Sequence, residues 1–203
     1  EEMLAVLGQP GEAWTSQRDH LLLVMLYNTG ARVSEIIGVR VTDVVLDGGA
    51  CVHLHGKGRK QRSVPLWHTS VAEVRAWLRL NPALRGEAPL LPNREGRAMS
   101  RSNVVQRLEI AVARAANQVP SILKKQISPH IIRHTTAMHL LQSGVPFNVI
   151  ALWLGHESTT TTHRYVEADL AMKEKALARL EAPDTIIHRF KAPDLLMQFL
   201  QTL

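Results

Sequence analysis

The chain has 203 residues, 45% hydrophobic and 21% charged, which is enough apolar material for one large packed core and excludes default disorder. A formal net charge of +6 and a pI near 9.9 suit a polyanionic partner such as nucleic acid. The single cysteine, Cys51, excludes an internal disulfide framework and a cysteine-rich zinc site. The apolar run from Leu21 to Tyr27 is too short to cross a bilayer, and the opening Glu1 and Glu2 are unlike a secretory signal, so a soluble cytoplasmic protein is expected.

In chain order, Thr15 and Ser16 are expected to cap a helix through LLLVMLYN that Gly30 stops, and ARVSEIIGV begins a second helix with Arg32 at its start. VTDVVL, CVHLH and RSVPL read as three short strands separated by DGG and GKGRK, so an antiparallel meander is the simplest arrangement, with Lys57 at the tip of its second turn. TSVAEVRAWLRL reads as a helix, followed by a loop rich in proline and glycine from Asn81 to Gly96. Ser100 caps a long helix through VVQRLEIAVARAAN, and Ser128 and Pro129 open another. A turn at Ser143 to Pro146 interrupts the pattern, and Gly155 ends the next helix. Arg133 therefore falls one turn into a helix and His156 just after one. The fold class expected is mainly α with a small antiparallel three-stranded sheet.

Several polar groups sit at element starts or turn tips rather than on apolar faces: Arg32, Lys57, His130, Arg133, His156 and Tyr165. Tyr165 is one of two tyrosines, set in the polar stretch HESTTTTHRYVEADL, where a ring with no evident core partner reads as presented to something. Two arginines, a lysine, two histidines and a tyrosine suit a phosphodiester. Guanidinium forks match pairs of phosphate oxygens, and His130 and Arg133, three apart on a helix, can grip one phosphate together. A tyrosine hydroxyl can attack phosphorus and store the bond as a protein ester, a step that needs neither a nucleoside triphosphate nor a metal. A lysine on a turn tip can protonate the leaving 5′ oxygen.

This string of six positions, with TGARVSEI, HGKGRKQRSVPL, SPHIIRHTTAMHLLQSG and ALWLGHESTTTTHRYV around them, resembles the catalytic set of the tyrosine recombinases, the phage integrase family. The resemblance covers roughly residues 15 to 170 with all six in order. It implies that Arg32 and Arg133 hold the scissile phosphate, that His130 contacts it and assists proton movement, and that Lys57 is the general acid. His156 would hydrogen-bond the phosphate in the transition state, Tyr165 would form a 3′-phosphotyrosine, and Glu35 would brace Arg32 and its helix. It implies no cofactor and no metal, double-stranded DNA as partner, and a homotetramer on DNA.

Arg59, Lys60 and Arg62 are expected on a DNA-facing hairpin beside Lys57, against the plainer reading of a solvated charged turn. His53 and His55 share one strand face, which reads as solvated, and His130 and His134 at i and i+4 lack a nearby carboxylate to complete a zinc site. The expected organisation is a catalytic domain over residues 1–181 and a tail over 182–203, with the family's amino-terminal DNA-clamping domain absent. ADLAMKEKALARLEA and DLLMQFLQTL read as amphipathic segments, so the tail is either a latch exchanged between subunits or a helix folded onto its own core. Two other functions stay open: a non-cutting DNA binder that keeps the phosphate clamp, and a type IB topoisomerase-like enzyme acting as a monomer.

Overall fold

A computed structural model of the chain describes residues 2–56 and 61–155. Helix α1 (Glu2–Leu7) leads to α2 (Trp14–Thr29), α3 (Val33–Ile36) and a 3-10 turn at Val41–Asp43. Strands β1 (Val44–Val45), β2 (Cys51–His55) and β3 (Gln61–Pro65) follow, then α4 (His68–Leu80), α5 (Arg101–Ala116), a 3-10 turn at Pro120–Lys124, α6 (Pro129–Gln142) and α7 (Phe147–Leu154). The architecture is mainly helical with one small antiparallel sheet in the order β1-β2-β3, as the sequence pattern predicts.

Helix α2 is the axis of the core. Its apolar residues are not confined to one stripe, which is the pattern of a helix covered on several sides, and Leu21, Leu22, Leu23, Met25 and Leu26 are all buried. It packs against α4 and α6 on different flanks. The sheet contributes one face: Val52 and Leu54 of β2 and Val64 of β3 are inaccessible, whereas the alternate His53 and Ser63 pair on the outer face through a 2.8 Å hydrogen bond. Val74 and Trp77 of α4, Leu108 of α5 and Ile132 of α6 close the same core.

Some boundaries differ from the sequence expectations. Helix α2 begins after Ala13 without a side-chain cap, so Thr15 and Ser16 lie inside its first turn. The second helix is only four residues long, because the chain turns at Ile37 and Gly38 toward the sheet. The first strand is two residues, its predicted first half being wound into the 3-10 turn, where Asp43 accepts the Arg40 amide at 2.8 Å and His55 at 2.9 Å. By contrast, the Ser100 and Ser128 caps form as expected, each hydroxyl accepting an amide from the first turn. Gly30 and Gly155 end α2 and α7 in the left-handed conformation, with φ of 57° and 66°.

Candidate functional site

Three helix ends converge on two arginines. Thr29 closes α2 by donating its hydroxyl to Met25 O at 2.6 Å and accepting the Ala31 amide at 3.1 Å. The turn it makes delivers Arg32 to the start of α3, where the Arg32 amide donates to Glu35 Oε2 at 2.7 Å, one half of a capping box. Glu35 is buried, but Arg32 is exposed over 51% of its side chain, so the carboxylate anchors the arginine from beneath while half of that side chain stays open to solvent.

Glu35 serves a second cation. Arg62 Nη1 donates to Oε1 at 2.7 Å and Nη2 to Oε2 at 2.9 Å, a fork-on-fork pair, while Arg32 Nη1 makes one longer contact of 3.2 Å to Oε1. Arg62 Nε donates to Trp153 O at 3.0 Å. Burial pushes the Glu35 carboxyl up, but the hydrogen bonds from Arg62 and the Arg32 amide and the two guanidinium charges outweigh it and hold the group below the usual carboxylate range.

Arg133, on the first turns of α6, is almost wholly buried. Its Nη1 donates to Gly30 O and its Nη2 to Leu154 O at 2.7 Å. Those carbonyls belong to the carboxy-terminal ends of α2 and α7, where unpaired C=O groups and the negative ends of two helix dipoles stabilise a buried cation. His130 is exposed one turn earlier on α6, with its ring against His134 edge-to-face at 4.2 Å. Burial, then the charges of His130 and Arg133, push the His134 imidazole below its ordinary value.

The structure therefore gathers Arg32, Glu35, Arg62 and Arg133 around the ends of α2, α3 and α7. Lys57, Arg59, Lys60, His156 and Tyr165, and the tail beyond them, lie outside the described residues. Arg62 departs from its expected place on a DNA-facing hairpin: its side chain is only 13% exposed and committed to Glu35, because a buried carboxylate demands a cation. Sequence alternation carried a signal for this. Position 62 lies two residues from Val64, hence on the inward face of β3.

A family model described as "Phage integrase family" matches residues 1–172. The chain belongs to the phage integrase family. This integrase-family chain is 40% identical over 203 residues to the integrase/recombinase y4rC of Sinorhizobium fredii, covering 100% of itself and 61% of that protein. It is 39% identical over 152 residues to tyrosine recombinase XerC of Neisseria gonorrhoeae, covering 75% of itself and 48% of that protein. The chain thus spans only 61% and 48% of the lengths of these two relatives. Its fold resembles the crystal structure of XerA recombinase with a TM-score of 0.74 at 23% identity, over 89% of this chain and 62% of that one. It also resembles the XerH site-specific recombinase bound to palindromic difH substrate in a post-cleavage complex, with a TM-score of 0.72 at 22% identity, over 88% and 50% of the two chains.

Among the described residues of this integrase-family chain, no group of three or more His, Cys, Asp or Glu side chains is placed to hold a metal ion, and no helix is long and apolar enough to cross a membrane. One residue that the sequence reading passed over is Asn28, buried in α2. Its amide donates to Pro65 O at 3.0 Å and accepts the Trp67 amide at 2.9 Å, and its own carbonyl accepts Trp153 Nε1 at 3.1 Å. Asn28 thereby ties β3, the start of α4 and α7 to the axial helix. A polar residue at the end of an apolar helical run was the available hint.

Proposed function

We propose that this chain is the catalytic part of a site-specific DNA recombinase that cuts and rejoins strands through a 3′-phosphotyrosine at Tyr165. The observation that carries the reading is Arg32, half exposed at a helix start and braced by a buried carboxylate, in a chain that belongs to the phage integrase family; the other positions are those the sequence resemblance implies. Arg32 and Arg133 hold the scissile phosphate, and their charge stabilises the pentacoordinate transition state. His130 contacts the phosphate and assists removal of the tyrosine proton, and His156 hydrogen-bonds a non-bridging oxygen. The Tyr165 oxygen forms a bond to phosphorus as the bond to the 5′ oxygen breaks, and Lys57 supplies the proton that the leaving oxygen takes up. In the reverse step a 5′ hydroxyl attacks the phosphotyrosine, which restores the DNA backbone and frees the enzyme without an external energy source. Two strands at each of two sites exchange inside a homotetramer on double-stranded DNA, with the tail beyond residue 181 passed between subunits.

The test mixes the chain, and separately Tyr165→Phe, with a randomised pool of nicked duplexes in low salt and measures SDS-resistant protein linked to DNA. An adduct in the wild type alone, mapped to Tyr165, is expected. DNA binding with no adduct in either form would make the chain a non-cutting phosphate clamp, and relaxation of supercoiled DNA without synapsis would favour a topoisomerase.

A further inference from the structure

Two guanidinium groups share the carboxylate of Glu35, and they share it unequally. Arg62 takes both oxygens at 2.7 and 2.9 Å, while the Arg32 side chain has one contact at 3.2 Å to an oxygen already engaged. Exposure follows the same inequality, with 13% for the Arg62 side chain, 2% for Glu35 and 51% for Arg32. We propose that Arg62 is a positioning residue that saturates Glu35 and so keeps Arg32 turned outward for a phosphate; the proposal rests on the strand-transfer reading above.

The reasoning is competitive. A buried carboxylate without a matched cation is costly, and a bidentate guanidinium is its best partner. With Arg62 in place, four donor contacts already satisfy the two oxygens: two from Arg62, one from the Arg32 amide and one from the Arg32 side chain. Without it, the cation left facing Glu35 among the described residues is Arg32, whose fork would turn inward and leave the outer face. Arg62 is itself held in plane. Its Nε is tied to Trp153 O, and its Cδ and Nη1 lie 3.0 Å from where a Cβ on Gly155 would stand, so glycine there gives the guanidinium its passage. A lysine at position 62 would offer a point charge that cannot cover both oxygens in this geometry.

The experiment compares wild type, Arg62→Lys, Arg62→Ala and the double variant Arg62→Ala with Glu35→Gln. Phenylglyoxal modification of Arg32 is followed by mass spectrometry, alongside adduct formation on nicked duplexes and DNA binding by gel shift. Capture predicts that Arg32 reactivity falls several-fold in both single variants. It also predicts that adduct formation drops roughly 10²-fold, the scale of an ångström-level misplacement, with little loss of DNA binding. Glu35→Gln should restore Arg32 reactivity and part of the adduct, because a neutral amide does not capture the fork. A purely structural role would instead raise the reactivity of many arginines at once, and Arg62→Lys keeps the buried charge should Arg62→Ala fail to fold. Unchanged or increased Arg32 reactivity in Arg62→Lys overturns the proposal. Arg32 reactivity that responds as expected in a protein forming no wild-type adduct would leave the role of Arg62 standing and sink the strand-transfer reading.

Discussion

Cδ2 of Leu154 occupies the place where a Cβ of Gly30 would stand, so the ends of α2 and α7 meet with no room for a side chain between them. Gly30 is also in the left-handed conformation, with φ of 57°. Gly30→Ala combines a backbone penalty of about 1–2 kcal/mol with an overpacking cost of about 1–3 kcal/mol. Urea denaturation should register a loss of roughly 2–5 kcal/mol, whereas the same substitution at Gly48, where a Cβ meets nothing within 4 Å, should cost only the backbone part.

Arg133 cross-links that meeting point from below. Removing its guanidinium leaves Gly30 O and Leu154 O without these donors, each costing on the order of 1–3 kcal/mol if no water replaces them. Arg133→Ala should therefore lower thermal stability as well as abolish adduct formation. Arg32→Ala, at an exposed position, should abolish the adduct with a much smaller stability change. Calorimetry on the two variants separates them.

Much of this was legible in the sequence, for physical reasons that differ by element. The Ser100 and Ser128 caps and the Gly30 and Gly155 stops are local chemistry, readable from a few residues. Arg32 at a helix start followed from the same signals, although the helix itself proved to be one turn. The partner of Arg62 was not legible, because the contact with Glu35 spans twenty-seven positions and depends on how β3 packs against α3. The missing side-chain cap of α2 reflects the same limit: a helix buried on several flanks holds its first turn through tertiary packing.

Acid should act through Glu35. Its folded-state pKa lies below the ordinary 4.5, so its contribution to stability is complete above that pH and is lost as pH falls from there through the folded value. Denaturation midpoints recorded across the acid range should fall more steeply for wild type than for Glu35→Gln. Parallel curves would show that the carboxylate is not linked to folding.

The basic residues Lys57, Arg59 and Lys60 make a separate prediction about binding. If Lys57, Arg59 and Lys60 each meet a phosphate, the slope of log K against log salt should shrink by about one for each residue changed to alanine. Arg62→Ala should leave that slope nearly intact, because its charge is spent on Glu35. A full-sized slope change at position 62 would return it to the DNA-facing set.

The shared carboxylate also limits how such a chain can drift. With Glu35 ionised, the trio of Arg32, Arg62 and Glu35 carries one net positive charge whichever guanidinium holds the closer contact. Changing Glu35 alone to a neutral residue leaves two adjacent cations to repel, and losing Arg62 alone hands the carboxylate to its neighbour. Single substitutions therefore lead downhill from either side, and the accessible routes replace positions 35 and 62 as a pair.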